Sequence, residues 1–285
     1  MKKLLLASAA VVVLSGSMFA DTVTMTGGSA TAFAFGGATP TWISYGTDPG
    51  AGAPFWNDAS DDTGTGGSHL MNIGYVLTDT GGLTGTPSVL GTDTVSTMYT
   101  GAGGADPTAF NFVRNAVSYN VTLLFADSGM NTGANPSGAV GSQIGYYVGS
   151  TMTALYNVGP TTSPTGSQTF NPGSAGTAYG FYDTVCYSAS AGVCTSSETY
   201  MTSGVNTGPY TGTAWNHFAL FQLASGSYVI GFTGQNGLFG EHIGDFQDTV
   251  IELSLASVPE PGTIAIMGLG LAALGFLGRR RFARK

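Results

Sequence analysis

Positive charge is what this chain has least of. Only 8 of its 285 residues are Lys or Arg, against 16 Asp or Glu. Seven of the eight stand at the ends, as Lys2, Lys3, Arg279, Arg280, Arg281, Arg284 and Lys285. The stretch 21–257 keeps Arg114 alone beside fifteen carboxylates, a formal charge of −14 with His neutral. Nucleic acid and anionic lipid are held by Lys and Arg, so this body is suited to neither. An acidic body attracts cations, but acidity this dilute also keeps an exported protein soluble, which is the simpler reading. Lysine is also the usual guard of exposed sheet edges, so loops or glycans are expected to cover them here.

Cysteine is nearly absent as well, with Cys186 and Cys194 the two examples. Their spacing and the lack of further thiols exclude a Cys-x-x-Cys redox pair and a thiolate metal site. In an exported chain they predict a disulfide that staples a loop or hairpin end. Internal helical periodicity is missing, and so are the common catalytic signatures. No Gly-x-Ser-x-Gly elbow occurs. Glu241-His242 lacks the second His of a zinc-protease helix, and His69 and His217 are the other histidines.

What is present begins with two targeting ends. Lys2 and Lys3 precede the apolar stretch 4–14 and the small-residue run Ser15-Gly16-Ser17. That pattern predicts a secretory signal peptide over 1–20, handled by the general secretion machinery and signal peptidase. At the other end, Val258-Pro259-Glu260-Pro261 is followed by an apolar run over 262–278 and a basic tail over 279–285. Seventeen residues at ~1.5 Å each give about 25 Å of helix, short but sufficient for a membrane span. The Arg279-Arg280-Arg281 cluster acts as a stop and places this end in the cytoplasm, which leaves the body exported.

This tail resembles the PEP-CTERM sorting domain of bacterial surface proteins, through Pro259-Glu260-Pro261, the Gly/Ala/Leu-rich span and the arginine cluster. The resemblance implies sorting by an exosortase, a membrane cysteine transpeptidase, in a Gram-negative bacterium that makes exopolysaccharide. It implies a transient hold in the inner membrane, then release or transfer to the cell surface. In that system the chain is substrate, not enzyme. Phe55-Trp56-Asn57, Asn72-Ile73-Gly74-Tyr75, Ile144-Gly145-Tyr146-Tyr147 and Asp245-Phe246-Gln247-Asp248 are similar to landmarks of the β-rich ectodomains that precede such tails.

Within 21–257, 13 Tyr and 16 Phe in the whole chain supply enough aromatic surface for a core despite 45 Gly. Period-two alternation predicts strands at 116–125, 228–232 and 251–255, and a two-faced apolar run predicts a central strand at 214–223. Weaker strands are expected at 30–35, 69–77, 142–148, 151–157 and 178–187. Gly/Thr/Ser/Asp/Pro stretches at 46–68, 81–108, 128–141 and 159–176 read as loops. The fold expected is all-β, an antiparallel sandwich of jelly-roll type with long decorated loops.

Chemistry is sparse. Asp62-Thr63-Gly64 and Asp79-Thr80-Gly81 spell the aspartic-protease triplet, but turn formation explains both better. Asp245 and Asp248 are the candidate calcium ligands, weighed against capping of the turn before the last strand. Trp42, Trp56 and Trp215 are candidates to stack on sugar rings, weighed against ordinary burial. The functional expectation is a non-enzymatic surface or matrix protein with no required cofactor. A glycan- or calcium-binding module is the alternative, and a matrix polysaccharide hydrolase the third reading.

Overall fold

A computed structural model of the chain describes residues 23–33, 73–78, 90–100, 108–115, 118–126, 142–158, 166–190, 193–204, 217–233, 249–256 and 268–270. Two antiparallel sheets stack as a sandwich within the unit Thr22–Leu255. The first sheet runs β1 (Thr24–Thr26), β4 (Asn111–Val113), β9 (Ala178–Ser190), β6 (Ser142–Val148) and β7 (Thr151–Val158). In it β9 is the long central strand. One of its edges holds β6, and the other holds β4 at its start and β10 (Val193–Met201) beyond. The second sheet runs β2 (Ser29–Ala32), β3 (Val95–Thr100), β11 (Phe218–Leu223), β12 (Tyr228–Phe232), β13 (Thr249–Leu255), β5 (Tyr119–Ala126) and β8 (Ser167–Phe170).

Alternation in the sequence becomes an inner and an outer face. Tyr119, Val121 and Leu123 of β5 are buried between the sheets, with Ile251 and Leu253 of β13. The alternation then breaks at a bulge. Ile251 pairs with Leu123 and Val250 with Phe125, which leaves Leu124 as an extra residue. Phe125 therefore turns to the outer face and packs with Val250 rather than with Leu123.

Aromatic rings fill the middle of the sandwich. Phe112 has ring neighbours Phe110, Tyr179, Phe181 and Tyr228 at centroid distances of 5.4–5.9 Å. Those spacings fall in the favourable range for aromatic pairs. Burying each such side chain contributes about 1.5–3 kcal/mol.

The outer face of the second sheet is covered too, which explains why β11 and β12 are apolar on both faces. A short helix, α1 (Ile73–Thr78), lays Ile73, Val76 and Leu77 on Ala219, Phe221 and Val229. This corrects the strand expected at 69–77. Ile73, Val76 and Leu77 stand at i, i+3 and i+4, a helical period too short to outweigh its apolar surroundings.

Two stretches expected as loops hold strands: β3 lies within 81–108 and β8 within 159–176. Both are polar, since β3 is only half-buried and β8 is an exposed edge with Phe170 turned inward. Edge strand β7 departs from expectation in another way. No described strand pairs with its outer side, and its residues 151–154 are exposed. It is held by one clasp across the sandwich: the Tyr156 hydroxyl donates to the Val121 carbonyl and accepts from Gln168 N at 3.1 Å.

Candidate functional site

Along β9 the inward positions read Tyr179, Phe181, Asp183 and Val185, so a carboxylate stands where the pattern asks for an apolar side chain. On β10, Glu198 and Tyr200 are two residues apart and share the inner face. The register pairs Tyr200 with Asp183 and Glu198 with Val185. Both carboxylates are therefore inside the sandwich, Asp183 at 1% and Glu198 at 2% exposure.

Tyr200 organises the group. Its hydroxyl donates to Glu198 Oε2 at 2.7 Å. Its ring lies against that of His217, with centroids 3.8 Å apart. The Thr233 carbonyl can only accept, so the 3.0 Å contact from His217 Nδ1 puts the proton on Nδ1. Burial holds His217 down to a pKa of about 4, so it is a neutral ring at ordinary pH.

Asp183 is flanked in its own sheet by Ile144 and Tyr200 and faces Thr249 of the other sheet. Burial pushes its carboxyl well above the usual carboxylate range, and the Thr249 and Ser142 hydroxyls oppose this only in part. Neither hydroxyl makes a hydrogen bond of ordinary length and angle with it. Both Asp183 oxygens, Ser142 Oγ and Thr249 Oγ1 are buried without a partner.

Arg114, the body's one basic residue, is remote from this cluster. Its backbone N–H bonds the Thr177 carbonyl at 2.8 Å, six residues before Asp183 on the same run. At ~3.3 Å per residue that is about 20 Å away, beyond the reach of its side chain. Asp183 and Glu198 are thus both held inside the sandwich, and Arg114 is far from Asp183.

None of Asp183, Glu198, Tyr200, Ser142 and Thr249 was singled out by motif. The legible signal was Asp183 itself, an acid at an inward step of an aromatic alternation. Of the sites expected from sequence, Asp245, Asp248, Val258, Pro259, Glu260, Pro261, Arg279, Arg280 and Arg281 lie outside the described residues. So do both Asp-Thr-Gly triplets, apart from their neighbour α1, and Trp42, Trp56, Trp215, His69 and His242. Cys186 and Cys194 fall on the two strands of the β9–β10 hairpin, opposite Ser197 and Ala189 respectively.

Of the expected span 262–278 only residues 268–270 are described, and they are helical. Among the described residues no helix is long and apolar enough to cross a membrane. No group of three or more His, Cys, Asp or Glu able to hold a metal occurs among them either.

Residues 257–281 match the family of the PEP-CTERM protein-sorting motif. No curated protein and no solved structure matches the chain.

Proposed function

From the PEP-CTERM protein-sorting motif that this exported, exosortase-sorted chain carries at residues 257–281, we propose that the mature protein is a structural component of the cell surface or extracellular matrix. Its body assembles with further copies of itself by adding strand to strand. The observation that carries this reading is β7. The strand Thr-Met-Thr-Ala-Leu-Tyr-Asn-Val has no charge, no proline and no lysine, and its outer side has no described partner. Such an edge is a template for another chain. Burial of Asp183 and Glu198 supports the same reading, because a polysaccharide has no access to carboxylates held inside the sandwich.

The apolar run 262–278 then serves as a temporary anchor with the basic tail in the cytoplasm, and the exosortase removes it. A disulfide between Cys186 and Cys194 belongs to this reading. It needs Cα atoms within about 7 Å. Ala189, the partner of Cys194, is three residues, about 10 Å, past Cys186, so closure requires the end of the β9–β10 hairpin to rearrange.

Two measurements test the proposal. Intact mass of protein recovered from the cell surface is expected to end near Pro261 and to lack two hydrogens; an intact tail in exosortase-competent cells overturns the sorting step. Sedimentation of the full chain is expected to show concentration-dependent self-association that Thr153→Lys abolishes. A wild-type chain that stays monomeric overturns assembly through β7.

A further inference from the structure

The hairpin that carries β7 fixes which of its backbone groups face outward. Gly149 and Ser150 alone separate Val148 from Thr151, and Gly149 takes the positive φ of 58° that so tight a turn requires. Closing a two-residue turn makes Val148 and Thr151 a hydrogen-bonded pair. Bonded and unbonded pairs then alternate along the hairpin. Thr153, opposite Tyr146, spends its backbone groups on β6, and its carbonyl does lie where a Cβ on Gly145 would meet it. Met152 and Ala154 fall on the unbonded steps, opposite Tyr147 and Gly145. Their N–H and C=O groups therefore point away from β6. Residues 151–154 are all exposed, and no described strand takes those groups.

The side chains add a second constraint. Met152 and Ala154 stand on one face of the strand, and Thr153 stands on the other. Among the described residues of 21–257, Met152 is the one large apolar side chain left exposed, at 41%. A two-fold axis at Thr153 uses both outward residues at once. It sets Met152 opposite the second copy's Ala154, and Ala154 opposite the second copy's Met152. Each pair exchanges two hydrogen bonds, and each long side chain lies beside a methyl group that leaves it room. An axis at Met152 would instead send Ala154 to Ser150 in the turn. An axis at Ala154 would send Met152 to Tyr156, past the irregularity in the β6–β7 register.

We infer that two copies pair β7 with β7, antiparallel, about a two-fold axis at Thr153, joining their first sheets into one. The inference rests on the strand-to-strand reading above and narrows it. Both copies use up the same edge, so association through β7 stops at a dimer.

The register is tested with cysteine in the full chain. At the axis Thr153 meets its own copy in an unbonded pair, with Cβ atoms about 4.5–5.5 Å apart, near disulfide reach. Under mild oxidation Thr153→Cys is expected to give a covalent dimer on a non-reducing gel. The wild type, with Cys186 and Cys194 in place, is the control and is expected to give none. Met152→Cys is expected to give none either, because its two copies are offset by about 7 Å along the strands as well as about 5 Å across them. Met152→Ala is expected to weaken the dimer at least about tenfold by sedimentation. Association that runs past two copies overturns the inference. So does a wild type that associates while Thr153→Cys forms no covalent dimer, or while Met152→Cys forms one as readily. Those outcomes leave strand-to-strand assembly standing, whereas a wild type that stays monomeric overturns both.

Discussion

At the scale of single residues, the interior carries two titrating groups whose effects on stability oppose each other. His217 has a native pKa of about 4, against an ordinary value near 6.5. Between those values the unfolded chain binds a proton that the native chain does not. His217 therefore adds stability as pH rises through this window and withdraws it as pH falls toward 4. Asp183 acts in the other direction. Its native pKa is raised by burial, while the unfolded carboxyl ionises near 3.9. The native chain keeps a proton the unfolded chain has lost, so this contribution is full below ~4 and fades as pH climbs to the raised value. Across the His217 window the two contributions oppose each other, so the denaturant midpoint is expected to rise more steeply from about pH 4 to 6.5 in Asp183→Asn than in the wild type. Equal slopes in the two proteins assign the opposing effect to another group. Backbone space sets a second residue-scale limit. A Cβ on Gly145 would run into the Thr153 carbonyl and the Tyr182 ring, at the irregularity where Ile144 and Gly145 shift register on β7. The carbonyl cannot rotate aside as a side chain can. Gly145→Ala is expected to cost about 2–3 kcal/mol, read from equilibrium unfolding.

At the scale of elements, most strands were legible because their faces are unequal. In β5 and β13, apolar and polar residues alternate over a buried and a half-buried face. β6 and β12 match the expected bounds 142–148 and 228–232 residue for residue. Legibility failed where tertiary context overrode local pattern. Val95–Thr100 is rich in Ser and Thr and becomes a strand because β11 and β2 pair with its two edges. Ile73–Thr78 is six residues long, too short to form a helix alone, and is held by the sheet beneath it. The interior acids were hidden for a related reason. Asp183, Tyr200 and Thr249 are far apart in sequence and meet only through the β9–β10 register and the stacking of the sheets. The helix gives a direct prediction. Ile73 is fully buried and packs with Phe221 and Val229 over the outer face. Ile73→Ala is expected to destabilise by about 2–5 kcal/mol in urea unfolding. If α1 only rests on the sheet as a loop would, the cost falls below about 1 kcal/mol.

At the scale of the whole molecule, charge and assembly pull against each other. The sorting tail was legible from sequence because it is a linear signal that needs no fold to be recognised, and it holds five of the eight basic residues. The stretch 21–257 carries Arg114 as its one Lys or Arg and a formal charge of −14. Two such bodies with centres about 40 Å apart in water repel by on the order of 20 kcal/mol if unscreened. Salt removes nearly all of this, because the Debye length shrinks from ~30 Å at 0.01 M to ~8 Å at 0.15 M. The contact proposed through β7 is uncharged, so salt has no attraction there to weaken. Ionic strength should then act with one sign only. Sedimentation at 0.01 M salt is expected to show monomer, and at 0.15 M to show association that tightens at least about tenfold. Self-association that weakens as salt rises would mean that charged groups, rather than the open edge of β7, hold the copies together.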